Sequence, residues 1–414
     1  MAAAVAVTVG LGLAAAASVR IFLAERRLGT VLKEDLERSV RLAPGNSEAW
    51  ARLGALLERE GDAAGAARAL DQAVRLNSYN APAWVDLALH WELEGDAARA
   101  ERCLLQAVRV DGGVSTHWAL VNFYLRQGVD DRFWNVMRAT LRGSRTELES
   151  AFDLCWRASN DPAEILQKGI PDTPEILRRY FRYVLDTGRK PALEAGWSRL
   201  SPHLVPADRE LGLRYVDLLI EGRRIAEAMM VWNRLAERRL IPHDAALDPA
   251  RGMLVSNGQF LFPPSGQAFD WRLISAEGVA ADVQRRDKDG NLRIRLGGAH
   301  PETTELLSQW VPVMPEQDYR LSFSYRTETL PPDTGLYWVA RDETGSAKTE
   351  LLATSPLAAQ ESWTGSRVAF RTRRETRLVR LVFAYRRSLG TTRSRGGVTL
   401  ASVQLLPGAE ATKP

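Results

Sequence analysis

The hydrophobic texture of the chain changes twice. Residues 1–19 carry no charge, and apolar character resumes after Arg20 with Ile21-Phe22-Leu23-Ala24. Together these residues are long enough for one membrane-spanning helix, which needs about 20 apolar positions. Arg20 falls near its end, where the side chain can snorkel to the interface. Beyond this segment, up to Pro249, apolar residues recur at intervals of three and four, the spacing of amphipathic helices. After Pro249 that spacing ends, and short alternating runs separated by Gly, Pro, Asp and Asn begin. Residues 319–325 alternate apolar with polar throughout, and 291–296, 336–340, 367–371, 378–385 and 398–405 also read as strands. Roughly eight strands over residues 251–407 suit an antiparallel β-sandwich or jelly roll.

Within the helical part the pattern repeats. Trp50, Trp84 and Trp118 are 34 residues apart, twice in succession. Trp50 is followed by Leu53-Gly54, Leu57, Gly61, Ala66, Leu70 and Ala73; Trp84 by Leu87-Ala88, Trp91, Gly95, Ala100, Leu104 and Ala107. The frame after Trp118 decays beyond Phe133. Gly61-Asp62 and Gly95-Asp96 divide each unit into two helices, because glycine tolerates the turn backbone. Ala66 and Ala100 let the paired helices approach closely. One such hairpin cannot bury its own apolar face, so stacked neighbours supply the core. The shared spacing predicts equivalent, largely buried places for the three tryptophans. From residue 144 to 250 the strict period is lost, and 176–185 and 211–235 are the clearest amphipathic stretches.

The residues Trp50, Leu53, Gly54, Ala66, Trp84, Leu87, Ala100 and Trp118 resemble the tetratricopeptide repeat, W-x2-L-G-x2-Y with small residues in the second helix. That family is a binding scaffold whose concave groove is lined by the first helix of each unit. The resemblance implies a groove of Ala51, Ala55, Val85, Leu89, Leu93, Ala119 and Phe123. Members that grip a C-terminal carboxylate use Lys and Asn there, and this chain offers little beyond Asn122. An apolar groove accepting a partner helix fits better. The alternative is that Val85, Leu89 and Phe123 pack inside a tight solenoid.

The β region resembles carbohydrate-binding jelly-roll modules. The residues that carry this are Asn257-Gly258-Gln259-Phe260, Tyr319 to Phe323, Trp363 with Phe370, and Gly397 to Leu405. Leu261 and Ala401 stand where the family has acids that help hold a structural calcium ion, so no calcium is expected there. The resemblance implies sugar stacking on exposed aromatics, with Trp271, Trp310, Trp338 and Trp363 as candidates beside Tyr337. Arg320 and Arg326 share the polar face of one strand, and Arg380 and Arg386 that of another. If those faces are neighbours they form a basic surface suited to an acidic polysaccharide; otherwise they are an Arg-rich solvated sheet.

Composition adds limits. The chain has 414 residues, 45% hydrophobic and 26% charged, which excludes a disordered or polytopic membrane protein. The net charge of +4 is too small to imply nucleic acid. The arginines cluster, however: nine lie between Arg371 and Arg395 against one acid, Glu375. Cys103 and Cys155 form no metal-ligand spacing, and the five histidines are scattered. There is no GxSxG, GxxxxGK[ST] or HExxH.

The expected organisation is multidomain, α then β. Residues 1–27 form a transmembrane anchor or a signal, and 28–143 the tetratricopeptide solenoid. Residues 144–250 are degenerate helical repeats, 251–407 the carbohydrate-binding-like sandwich, and 408–414 a tail. A cleavable signal competes with the anchor because 14–18 are small residues; the missing basic n-region opposes it. Basic residues after the segment place the soluble part in the cytoplasm, whereas a carbohydrate-binding-like module argues for an extracytoplasmic, periplasmic site. The expected function is a non-enzymatic scaffold, without cofactor or metal. It would hold a protein partner in the groove and an anionic glycan on the sandwich, with no role for nucleic acid. By domain analogy it would serve surface-polysaccharide assembly or export. The alternatives are a divergent carbohydrate-active hydrolase using acids of the β domain, and a spacer or docking module.

Overall fold

The structure is a computed structural model that describes residues 32–143, 146, 148–242, 246–286, 289–345 and 348–408. The membrane-anchor reading of residues 1–27 and most of the tail 408–414 lie outside these. Among the described residues no helix is long and apolar enough to cross a membrane. The chain divides into two compact units, Met1–Pro202 and His203–Pro414.

The first unit is helical. Helices α1 (Lys33–Leu42), α2 (Ser47–Arg59), α3 (Ala63–Leu76), α4 (Ala81–Leu93), α5 (Ala97–Val110), α6 (Val114–Gln127) and α7 (Asp131–Gly143) follow one another through short turns. Each of α2/α3, α4/α5 and α6/α7 is a packed hairpin. The 34-residue period reaches down to single hydrogen bonds. Asn46 and Asn80 cap the first helices, each side chain accepting from a backbone N–H three residues on at 3.1 Å. Asp62, Asp96 and Asp130 do the same for the second helices, at 2.8, 2.9 and 3.3 Å. Such a cap is worth about 1 kcal/mol. Gly61 and Gly95 turn the chain at φ +84° and +80°, where a side chain would be strained. A Cβ on Gly54 would come within 2.6 Å of Leu70, so glycine lets α2 and α3 meet. Ala66 and Ala100 are fully buried at the matching contacts, with Leu53 and Leu87 beside them.

The tryptophans correct one expectation. Trp50, Trp84 and Trp118 occupy equivalent helical positions but are only half-buried. The indole N–H must be satisfied, and Trp50 and Trp84 donate theirs to the carbonyls of Pro44 and Ser78 at 2.9 Å, in the exposed turn before each helix. Trp118 Nε1 has no such partner among the described residues. Its helix starts at Val114 without a side-chain cap, so the repeat decays there. Helices α8 (Leu148–Ala158), α9 (Pro174–Asp186) and α10 (Leu193–Leu200) complete the unit.

The second unit begins with a helical hairpin, α11 (Arg209–Glu221) and α12 (Ile225–Glu237). The amphipathic stretch 211–235 is therefore broken, at Gly222 and Arg223, the latter at φ +61°. Ten strands follow: β1 (Arg272–Leu273), β2 (Val279–Arg286), β3 (Asp289–Gly297), β4 (Thr303–Pro312), β5 (Asp318–Glu328), β6 (Leu336–Asp342), β7 (Thr349–Ala353), β8 (Thr364–Arg371), β9 (Leu378–Arg386) and β10 (Arg395–Pro407). All pair antiparallel, in two five-stranded sheets ordered β2-β3-β10-β5-β8 and β1-β4-β9-β6-β7. One core joins both sheets, with Trp271, Trp338, Tyr319, Phe323, Phe383 and Tyr385 at its centre. The alternation of β5 is a direct product of this, with Tyr319, Leu321, Phe323 and Tyr325 buried and the residues between them outside.

The hairpin is part of this unit. Asp217 of α11 accepts from Ala268 N–H at 2.9 Å and from the Arg272 guanidinium at 2.8 Å. Trp232 of α12 meets Phe269 edge-on, ring centres 5.9 Å apart. Asn233 holds Leu247 through two bonds of 2.8 Å.

Candidate functional site

Arg272 lies in register with Ser308, and Ser308 with Val382, on the outer face of the β1-β4-β9-β6-β7 sheet. Val339 and Val382 on that face are buried, and Asp217 of α11 reaches Arg272 there. The outer face of the other sheet is different in kind. Register places Asp282 (β2), Arg293 (β3), Thr399 (β10) and Arg326 (β5) in one row across four strands. Trp363, one residue before β8, is 47% exposed, and the Arg326 guanidinium lies 5.4 Å from its ring centre. Asn291, Ser322, Ser324 and Arg367 extend the polar surface on either side.

The atoms of this row are poorly served by the protein. Thr399 is 1% exposed, yet its hydroxyl has no hydrogen-bond partner among the described residues. The same holds for Arg293 Nε, Arg326 Nε and Asn291 Oδ1. Buried polar atoms are normally paired, since leaving one unpaired costs about 1–3 kcal/mol. Donors and acceptors beside an exposed indole are the equipment for a ligand with hydroxyls and an apolar ring face.

Charge on this face is unbalanced. Glu328 pairs with Arg293, Asp282 with Arg295 at 3.7 Å, and Asp318 with Arg371 at 3.3 Å. Arg320, Arg326 and Arg367 have no acidic partner among the described residues. These three acids are thus paired, while three arginines of the same face are not.

The sugar-platform candidates separate cleanly. Trp271 and Trp338 are fully buried core residues, 6.3 Å apart between ring centres, and no ligand can stack on them. Trp338 on β6 and Trp271 just before β1 both enter the inter-sheet core, where large rings stabilise most. Trp310 is half-buried beneath Arg380, at 5.6 Å, on the opposite sheet. Arg380 is also bound to Glu305 at 2.6 Å, and Arg386 is exposed over Tyr337 at 5.2 Å. Arg320 and Arg326 lie on β5, Arg380 and Arg386 on β9, in different sheets. They form no common basic surface. The arginine-rich stretch crosses from β8 to β9 to β10, changing sheet each time, so its charge is divided. Arg320 lies farther along the same face of β5, and Trp363 and Arg326 are brought together with Arg293, Thr399 and Asn291, which the sequence does not single out. Their signal was the alternation Leu292, Arg293, Ile294, Arg295, Leu296; the pairing that unites them is non-local.

A larger cleft, about 960 Å³, is lined by residues of 252–262 and 403–406 with Trp232 and Arg239. Leu261 lines it. Asn257 closes its own loop there, donating to Phe262 O at 2.7 Å and accepting from Phe262 N at 3.2 Å. A Cβ on Gly258 would come within 2.0 Å of Val403 O. The motif around Asn257 is satisfied by the fold itself.

In the first unit, Ala55, Glu58, Asp86, Leu89, Leu93 and Arg126 border a groove of about 410 Å³ across α2, α4 and α6. Leu89 and Leu93 are 46% and 72% exposed, and Val85 is half-buried. Phe123 is 2% exposed and belongs to the core. Arg126 grips Glu92, the same position one repeat earlier, through two bonds of 2.8 Å. Burial, with Glu48 nearby, pushes the Asp86 carboxyl above the ordinary carboxylate range.

No family model matches the chain, and no curated protein matches it. Among solved structures, it is similar to the CBM4 structure over 37% of its length and 99% of that chain, at 15% identity and TM-score 0.30. It is similar to MamA over 31% and 77%, at 20% and 0.28. It is similar to the TPR protein TTC0263 of Thermus thermophilus over 35% and 80%, at 23% and 0.28. Each likeness is partial: helical repeats in two cases, the two-sheet β domain in the other.

Proposed function

We propose that this chain is a non-enzymatic interaction protein whose outer β2-β3-β10-β5-β8 face binds a glycan and whose α2-α4-α6 groove holds a protein segment. The observation that carries the first part is the row Arg293, Thr399, Arg326 with Trp363, where unpartnered polar atoms adjoin an exposed indole. A pyranose presents an apolar ring face and a rim of hydroxyls, and both halves of that chemistry are met here. The exposed pair Leu89 and Leu93 supports the second part, since an amphipathic helix anchors through residues at such spacing.

The same reading makes residues 1–27 a retained anchor, holds the rest outside the cytoplasm, and assigns the protein to surface-polysaccharide assembly or export. Its support is the uncharged run of residues 1–19 and the paired presence of scaffold and glycan face. Membrane fractionation with an alkaline wash tests the anchor, and release of full-length chain into the soluble fraction refutes it. The glycan face is tested on an immobilised panel of neutral and acidic glycans. The full chain should bind at least one, and Trp363→Ala should abolish that binding while Trp310→Ala does not.

A further inference from the structure

We infer that the ligand of this face is a polyanionic glycan bearing carboxylates, gripped by Arg326 beside Thr399 and followed by Arg367 on β8 and Arg320 on β5. This rests on the glycan-face reading and adds the ligand's charge and extent.

Three observations carry it. First, Glu328, Asp282 and Asp318 are taken up by Arg293, Arg295 and Arg371, while Arg320, Arg326 and Arg367 are left without acidic partners among the described residues. A neutral ligand would leave those charges uncompensated, whereas an anion pairs with them. Second, the free charges are arginines. Their planar fork matches a carboxylate with two parallel hydrogen bonds, which an ammonium cannot do. Third, they are spread out. Arg320 and Arg326 are six residues apart on one strand, or about 20 Å at the usual rise. Arg367 pairs in register with Ser322, between them. One small acid cannot reach all three, but a chain with a carboxylate on each sugar can.

The row around Thr399 gives the anchoring end. Arg293 and Arg326 are the register partners of Thr399 on its two sides. The Thr399 hydroxyl, nine-tenths buried and unpartnered, lies between them. Arg326 rests over Trp363, so swinging toward a carboxylate uncovers the indole for a sugar ring. A single-stranded nucleic acid is also polyanionic, but such platforms stack successive bases on several exposed aromatics. Trp363 is the large aromatic that the described residues expose beside this row.

Isothermal titration of the full chain decides it, with oligogalacturonate, its methyl ester, neutral cellohexaose and poly(U) as probes. Oligogalacturonate should bind, weaken as salt rises, and lose about tenfold for each arginine contact on full methyl esterification, as expected for charge-assisted bonds. Arg326→Gln should lose a similar factor, and Arg326→Lys should recover only part of it. Arg386→Gln, on the opposite sheet, should change nothing. Equal binding of acid, ester and cellohexaose overturns the inference while leaving a glycan face standing. Binding of poly(U) alone, or of no probe, overturns both.

Discussion

Thr399 and Arg326 stand directly opposite one another on β10 and β5, and neither the Thr399 hydroxyl nor Arg326 Nε finds a hydrogen-bond partner among the described residues. Many polar groups are satisfied within the fold, as in the asparagine and aspartate caps and in Thr372, which accepts from Gln317 N–H and donates to the Met314 carbonyl. Other buried atoms without a partner among the described residues include both ring nitrogens of His300 and Gln309 Oε1. What sets the Thr399 row apart is that its unpartnered atoms adjoin an exposed indole, Trp363. The opposite sheet meets the helical hairpin on its outer face through Arg272 and Asp217.

The tryptophan of the repeat stabilises by packing and by one hydrogen bond. Trp84→Ala should cost about 2 kcal/mol, below the value for a fully buried ring. Trp84→Phe should cost about 1 kcal/mol, because only the bond to the Ser78 carbonyl is lost. Chemical denaturation of the three proteins checks this, and equal destabilisation by both variants would show that the bond carries the whole effect.

The link between α11 and the sandwich depends on an acceptor rather than on a charge. Burial raises the Asp217 carboxyl's pKa and lowers that of the Arg272 guanidinium, so in both partners desolvation outweighs the attraction. A carboxyl whose folded pKa is raised contributes most below its unfolded value and loses that contribution as pH rises. Asp217→Asn keeps an oxygen for Ala268 N–H and Arg272 and should be nearly neutral at pH 7. Asp217→Ala leaves Ala268 N–H and Arg272 Nη2 without this acceptor, while Nη1 keeps the carbonyls of Ala268 and Asp270, and should cost about 1–3 kcal/mol. Thermal melts at pH 7 distinguish them; equal losses would mean that the charge itself matters.

His300 predicts the acid limb of stability. It is fully buried against Tyr385, 4.4 Å between ring centres, and burial, with Arg393 nearby, lowers its pKa from the ordinary 6.5. A histidine with a depressed folded pKa supports the fold above its unfolded pKa. That support is lost as pH falls from about 6.5 toward the lower folded value. Denaturation followed from pH 7.5 to 5 should show this decline, and His300→Gln should flatten it. An unchanged slope in the variant would remove His300 from the account.

Much of the fold is written locally, and the site is not. The spacing of Trp50 and Trp84, the glycine turns at Gly61 and Gly95, and the alternation of β5 are each set by neighbours within a few residues. Strand β4 escaped notice because Leu306 to Gln309 are buried on both faces, which erases the period of two. The sugar candidates went astray for a related reason. Trp338 and Trp363 look alike in sequence, but Trp338 lies within β6 and faces the core, whereas Trp363 lies in the connection before β8 and is exposed. The row of Asp282, Arg293, Thr399 and Arg326 joins residues more than a hundred positions apart. Nothing local announces it.

The claim that this face is where a glycan sits is tested most directly by hydroxyl-radical footprinting of the full chain with and without oligogalacturonate. Trp363, 47% exposed, should be protected from oxidation by the ligand, while Trp310 on the opposite sheet and Leu93 in the helical groove stay as reactive as before. Protection of Trp310 or Leu93 with Trp363 unchanged, or no protection anywhere, would contradict it.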